Sequence, residues 1–176
     1  MIYSRKNGVY SAAEGKLCKY WIKGGSMTIK PAQINDAEAI LDLQKLCYQS
    51  EARITGDYGI SPLKQDITGM QSDINNMKVL VMREDNKIIG SIRAFEKNSV
   101  CYIGRIIVHP DMQNKGRGKI LINAVEKEFA HCKTFELFTS SLSERNLYLY
   151  NKLGYKIYKK EKAKDNYDII YLHKMQ

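Results

Sequence analysis

The stretch from Cys101 to Phe129 constrains this chain most. An apolar, β-branched run of strand length ends at Val108, and apolar residues at helical spacing resume at Ile120. Between them stands Val-His-Pro-Asp-Met-Gln-Asn-Lys-Gly-Arg-Gly-Lys, residues 108–119. A strand must therefore turn directly into a helix, across Gly116 and Gly118. Glycine accepts backbone angles that other residues resist and lets a ligand come close, while a helix start presents unpaired N–H groups and the positive end of its dipole. Such a junction takes an anion. Lys115, Arg117 and Lys119 add three positive charges within five residues, which suits a pyrophosphate better than one carboxylate.

Two common phosphate motifs fail here. A Walker A loop needs Gly-x-x-x-x-Gly-Lys and then Ser or Thr, but Lys119 is followed by Ile120, and Gln113 stands where the first glycine belongs. A dinucleotide fingerprint would put its third glycine at Leu121, and no acidic residue twenty positions on ends a second parallel strand. What does fit is Gln113-x-x-Gly116-x-Gly118, preceded by Val108-x-Pro110. This resembles the acyl-CoA signature of the GNAT superfamily of N-acyltransferases. A second resemblance lies at Leu149, Tyr150, Lys152, Gly154 and Tyr155, which match the Leu-Tyr-x-Lys-x-Gly-Tyr helix ending common in that superfamily.

The resemblance covers Met27 to about Leu172. It implies an α/β fold in α+β order: a central mixed, mostly antiparallel sheet with flanking helices, whose fourth and fifth strands splay apart to admit acetyl-CoA. Ile106, Ile107 and Val108 would then pair with pantetheine, and a backbone N–H near Val108 would polarise the thioester carbonyl. The pyrophosphate would meet Gln113, Asn114, Lys115, Gly116, Arg117, Gly118 and Lys119, with Lys152 also near the coenzyme. Tyr150 would face the sulfur as general acid, since a phenol of pKa ~10 can protonate a departing thiolate of pKa ~8.5. Many members carry Asn seven residues before this Tyr, where Ser143 stands here; Asn146 lies one turn later, and either can reach the pantetheine arm. The glutamate that some members place on the fourth strand has no counterpart between Cys101 and Val108, so Glu96 is the candidate base, with attack by neutral amine as the alternative.

The rest of the chain is consistent with one domain. Its 176 residues can bury a single core, and no apolar run approaches the roughly 20 residues of a membrane span. Cys18, Cys47, Cys101 and Cys132 lie far apart without a C-x-x-C pair, which argues against a zinc cluster or disulfide framework and points to the cytoplasm. No metal is expected, and His109 and His131 receive no role. Net charge is +9, but residues 1–26 hold five basic residues and one acidic residue, leaving 23 basic against 18 acidic beyond them. Those 26 residues show no periodicity. Lys23-Gly24-Gly25-Ser26-Met27 can be back-translated as a purine-rich ribosome-binding sequence before a start codon, so residues 1–26 are expected to be a leader or flexible extension outside the fold, and 27–176 the N-acetyltransferase domain.

Asn35-x-x-Glu38 reads as a capping box opening a helix that buries Ala39, Ile40, Leu43, Leu46 and Cys47. The irregular stretch 48–76 carries a short helix between Pro62 and Asp73. It also holds Glu51, Asp57, Asp66 and Asp73, either solvated loop charge or a mouth that attracts a cationic amine. Strands follow at 78–82, 87–95, 101–108 and 134–139, and Ser141-x-x-Glu144 offers another capping box. Tyr155–Tyr158 and Tyr167–Leu172 close the sheet across a lysine-rich turn, whose interrupted charge run argues against nucleic acid as a partner. The expected activity is acetyl transfer from acetyl-CoA to a primary amine by direct attack in a ternary complex. The acceptor is a small-molecule amine or a protein amino group, and a homodimer is the candidate assembly. The competing class is a non-catalytic acetyl-CoA-binding regulator.

Overall fold

The computed structural model describes Val9–Ser11, Cys18–Ile22 and residues 25–176. In chain order the elements are β1 (Val9–Ser11), β2 (Cys18–Ile22), β3 (Gly25–Pro31), α1 (Ala37–Thr55), α2 (Ser61–Lys64), α3 (Ile67–Asn76), β4 (Lys78–Glu84), β5 (Lys87–Lys97), β6 (Val100–Val108), α4 (Arg117–Glu128), β7 (Thr134–Ser140), α5 (Glu144–Lys152), β8 (Lys156–Lys164) and β9 (Tyr167–Met175). They build one nine-stranded sheet in the order β1-β2-β3-β4-β5-β6-β7-β9-β8. Every neighbouring pair is antiparallel except β6 and β7. From residue 25 on, this is the expected mixed sheet of seven strands with helices on its faces; the fourth and fifth strands counted from Met27 are β6 and β7.

Strand alternation assigns the helices to faces. Val79 and Val81 of β4 pack with Ala37, Ile40 and Leu41 of α1 and Met70 of α3. Leu80 and Met82 point the other way, into a core with Ile92, Ile103, Val108, Leu121, Ile122, Val125 and Tyr150. β4 is thus buried on both faces, and α4 and α5 lie opposite α1 and α3. From the end of β5 onward the α1 side of the sheet carries aromatics: Phe95 of β5 stacks on Tyr102 of β6 at 5.2 Å, and Phe138 of β7 meets Tyr171 of β9 at 5.8 Å.

The helix starts differ from the capping boxes expected. A single turn, Ile34–Asp36, precedes α1, and the Asp36 carboxylate accepts from Gln33 N–H at 3.0 Å, two residues ahead of the Asn35 box. The buried stripe of α1 is rotated accordingly: Ala37, Ile40, Leu41, Gln44 and Cys47 face inward, while Ala39 and Leu46 are exposed. At α5, Ser143 occupies the cap position, and the Ser141 hydroxyl accepts instead from Asp168 N–H on β9. The short helix in 62–73 is two, α2 and α3, the latter capped by Asp66 accepting from Gly69 N–H.

Two further differences concern edge strands. β8 extends through the lysine run, exposed at every position, and turns at Asp165 and Asn166. An edge strand solvated on both faces has no apolar alternation to reveal it, and its lysines deter further pairing. At the opposite edge, β2 pairs with β3 from Cys18↔Ile29 to Ile22↔Gly25, and β1 pairs with β2. Ten residues of the stretch 1–26, for which the sequence offered no element, are therefore strand, since β3 itself begins at Gly25, ahead of Met27. The other residues of 1–24 lie outside the described ones.

Candidate functional site

β6 and β7 run parallel only where Val100, Cys101 and Tyr102 face Thr134, Phe135 and Glu136; past that point they are not paired. Each strand is held from its other side, β7 by β9 along its whole length and β6 by β5. β6 is also bulged. Its register against β5 shifts between Ser91 and Arg93, opposite the segment Gly104 to Ile106, and Arg105 there has φ +50°. A bulge bends its strand and shifts the side-chain parity by one. Ile103, Ile106 and Val108 accordingly share the α4 face, and Ile107 packs with Leu43 and Cys47 of α1.

The gap opens into a cavity of about 1640 Å³ lined from both strands, the glycine turn, α1 and α5. Ligand sites commonly measure about 300–1,000 Å³, so this one has room for a long ligand and a second molecule beside it. His109 N–H bonds to Ile89 O at 2.8 Å. By the alternation of an antiparallel ladder, the Val108 N–H therefore points away from β5 and into the gap. The Val108 carbonyl is taken by Gln113 Nε2 at 2.7 Å and the Cys47 thiol at 3.3 Å.

At one end of the cavity the chain leaves β6 through a turn at Pro110–Met112 and enters α4. Asn114 and Gly116 have φ +59° and +76°, placing successive amides around a concave bend, and Gly116 caps α4. A Cβ on Gly118 would stand 3.2 Å from the Leu149 side chain of α5, which would have to give by a few tenths of an ångström. Gln113, Asn114, Gly116, Gly118 and Lys119 all line the cavity.

Two of the expected basic contacts are redirected. Arg117 lines the cavity through its position, yet its buried guanidinium meets Glu84 of β4 at 2.7 Å, so its charge is spent within the fold. Lys115 is exposed, its ammonium donating to Asp111 O at 3.1 Å, and it is not among the lining residues. Arg145 of α5 replaces them: it lines the cavity and donates to Gln113 Oε1 at 2.5 Å. A cation one helix away from the motif carried no sequence signal.

Tyr150 of α5 is buried and lines the same cavity, its ring 6.2 Å from that of Tyr155. Among the described residues no protein group hydrogen-bonds its hydroxyl, whereas the Tyr155 hydroxyl donates to Glu126 at 2.9 Å. Burial raises the Tyr150 pKa above the ordinary phenol value, and Tyr48 and Glu51 nearby raise it further. The group stays protonated at neutral pH and is available as a proton donor. Burial also pushes the Cys47 thiol up to about 11, so it is not a thiolate nucleophile. Asn146 lines the cavity and donates to Thr139 Oγ1 at 3.2 Å. Ser143 is buried behind it, its hydroxyl donating to Glu51. Of the pair left open by the sequence, Asn146 is the one that faces the gap. Lys152 does not line the cavity; its ammonium sits 5.4 Å over the Tyr148 ring.

Glu96 is not at the site either. It follows the cavity-facing Phe95, so alternation turns it to the opposite face, where it meets His131 Nε2 at 2.6 Å. The acids of 48–76 also sort themselves: Asp73 is bound to Arg93, Asp57 to Lys164 at 2.8 Å, and Asp66 caps α3. Glu51 lines the cavity with no cationic partner among the described residues, fixed by Ser143 and by Asn146 Nδ2 at 3.4 Å. Facing it across the same wall stands Arg105, whose guanidinium donates to Ser61 Oγ at 2.7 Å and lies 5.7 Å from the Tyr48 ring centre. No helix is long and apolar enough to cross a membrane among the described residues.

Residues 37–155 match the model of the acetyltransferase (GNAT) family. Among curated proteins, the UPF0157 protein YqkA of Bacillus subtilis (strain 168) is 29% identical over 123 residues, 68% of this chain. The chain spans only about a third of that protein, 34% of its length. Among solved structures, the PaiA N-acetyltransferase of Thermoplasma acidophilum in complex with coenzyme A superposes with a TM-score of 0.73 at 16% identity, over 85% of this chain and 99% of that one. The ribosomal-protein-S18-alanine N-acetyltransferase of Escherichia coli gives 0.68 at 15% identity, over 84% and 92%. YncA of Salmonella typhimurium with acetyl-CoA gives 0.68 at 18%, over 85% and 93%.

Proposed function

Because the chain belongs to the acetyltransferase (GNAT) family, we propose that it transfers an acetyl group from acetyl-CoA to an amine by direct attack within a ternary complex. The observation that carries this reading is the gap between β6 and β7. It brings the helix start at Gly116, the Val108 amide and the unpartnered Tyr150 hydroxyl into one cavity. The pyrophosphate would rest on the amides after Gly116, with Lys119 and Arg145 supplying charge that Arg117 and Lys115 do not.

The pantetheine arm would lie along β6 like an added strand, completing backbone groups that β7 leaves unpaired. The Val108 N–H would then stabilise charge on the thioester oxygen, and Tyr150 would give its proton to the departing sulfur. As the C–N bond forms and the C–S bond breaks, the ammonium gives up two protons. One leaves through a base, and the other balances the proton that Tyr150 hands to sulfur. Cys47, a high-pKa thiol already engaged with the Val108 carbonyl, offers no route through an acyl-cysteine. Glu96, bound to His131, takes no part.

The test is calorimetric titration with acetyl-CoA followed by coenzyme A release against a panel of amines. Binding with turnover supports the enzyme; binding without turnover for any acceptor supports a coenzyme-binding regulator; absence of binding removes both.

A further inference from the structure

Three arginines that pack against the sheet are each matched to an acid: Arg83 to Asp36, Arg93 to Asp73, and Arg117 to Glu84. Arg105 is not. Among the described residues no carboxylate lies within ion-pair distance of its guanidinium, which is held by Ser61 Oγ at 2.7 Å and by Tyr48, whose ring centre is 5.7 Å away. Its backbone sits at φ +50°, unfavourable for a side chain of this kind. Asn or Gly would fit that bulge more easily, so an arginine there points to a use for its head group. The bulge turns it onto the α1 side of the sheet and into the cavity.

Glu51 presents the complementary anomaly, a cavity carboxylate with no cationic partner among the described residues. It follows Tyr48 by three residues on α1, one helical turn along the same face. Tyr48 thus stands between two unmatched opposite charges, and Glu51, bonded to Asn146 of α5, is the one nearer Tyr150. Of the other acids on the cavity wall, Asp73 is paired with Arg93, Asp66 caps α3 and Glu136 accepts from the Tyr158 hydroxyl; Arg105 and Glu51, flanking Tyr48 on one wall, make a receptor for a molecule carrying both charges.

Resting on the acetyl-transfer reading, we propose that the acceptor is an amino acid or a compound with the same two groups, its carboxylate received by Arg105 and its ammonium by Glu51. The guanidinium fork matches a carboxylate bidentately. Glu51 takes the first proton from the ammonium, next to Tyr150 and the Val108 amide, so the freed nitrogen attacks where the leaving sulfur can be protonated. The side chain of the acceptor extends over Tyr102, Phe95 and Phe138, which continue the same wall.

The experiment measures coenzyme A release with the standard L-amino acids and with the amines that remain when the carboxylate is removed. Calorimetry of the same compounds on the coenzyme A complex runs in parallel. The full chain should favour at least one amino acid over its decarboxylated amine by about 10- to 100-fold in kcat/KM. Arg105→Gln should collapse that ratio towards one, chiefly through KM, and Arg105→Lys should restore part of it. Arg105→Gly, which accepts φ +50° freely, guards against a folding artefact and should behave as Arg105→Gln does. Equal or better turnover of decarboxylated amines by the parent, or an unchanged ratio in Arg105→Gln, overturns the assignment. So does the absence of both turnover and binding across the amino acids while acetyl-CoA still binds. Loss of acetyl-CoA binding in the parent would mark failure of the underlying reading instead.

Discussion

Replacing Tyr150 by Phe separates chemistry from packing, because the two readings predict different effects. The ring is buried, no described protein group bonds the hydroxyl, and that oxygen opens on the cavity instead of being sealed in the core. Removing a hydroxyl that bonds no protein group and opens on the cavity changes folding by less than about 1 kcal/mol. The ring stays against Tyr155. Tyr150→Phe should therefore melt close to the parental temperature and bind acetyl-CoA normally. If the phenol protonates the leaving thiolate, the single-turnover rate should nevertheless fall about 10²-fold, equivalent to ~2.7 kcal/mol of barrier. Rapid-quench measurement of acetyl transfer avoids masking by product release. Burial keeps the phenol pKa above its ordinary value of 10.0, so between about pH 6 and 9 the parent should show no alkaline limb from this group. A Phe variant with the parental single-turnover rate would refute the assignment.

Gly118→Asp should abolish acetyl-CoA binding in calorimetry, since its Cβ would already press on Leu149 at 3.2 Å and its charge would repel the pyrophosphate. Glu84→Gln should leave the buried Arg117 without its counter-ion and cost about 2 kcal/mol, a melting temperature lower by about 4–8 °C. Acetyl-CoA affinity should change little, because that guanidinium faces β4. Burial raises the thiols of Cys47 and Cys101 to about 11 and about 12 from an ordinary 9.0. The unfolded chain thus loses these protons first, so their contribution is complete below about pH 9 and is lost as pH rises towards 12. Thermal melts at pH 8 and pH 11 should show the fall, and a Cys47→Ala, Cys101→Ala variant should show a shallower one.

The glycine turn, the strand feeding it and the helix behind it were legible because their signals are local: two glycines, a 2-residue and then a 3.6-residue period. Tyr150 was legible through the resemblance of Leu149, Tyr150, Lys152, Gly154 and Tyr155 to a GNAT helix ending, and the helix does stop at that glycine, at φ +91°. Pairings over long sequence separation were not legible. Nothing near Arg117 indicates that Glu84 waits on β4, nor that Arg145 would reach Gln113 from α5. Glu96 was misplaced by one step of strand parity, for Phe95 before it faces the cavity and Glu96 faces His131. Glu51 looked like loop charge because α1 runs on to Thr55, past the point where apolar periodicity fades. β8 runs beyond the Tyr155–Tyr158 segment that the sequence marks because an edge strand is held largely by backbone pairing, which leaves little pattern in the side chains.

The gap itself makes a last prediction, independent of any acceptor. Backbone groups inside a sheet are normally paired, and those left open must find water or a ligand. Ser91 and Ile107 are partners in the β5–β6 ladder, as the neighbouring bond from His109 N–H to Ile89 O requires, so the Ile107 amide is locked against β5. The Val108 amide, one residue on, faces the gap, where β7 has already diverged. Hydrogen exchange in the free protein should therefore be fast at Val108 and slow at Ile107, despite their adjacency in the middle of the fold. Acetyl-CoA at about 100 times its Kd should slow Val108 by at least about tenfold, since the amide then gains a partner and water is excluded, and leave Ile107 nearly as it was. Equal protection of the two amides in the free protein would mean that the gap is closed on the exchange timescale. An unchanged Val108 rate in the complex would mean that the thioester and its arm lie elsewhere.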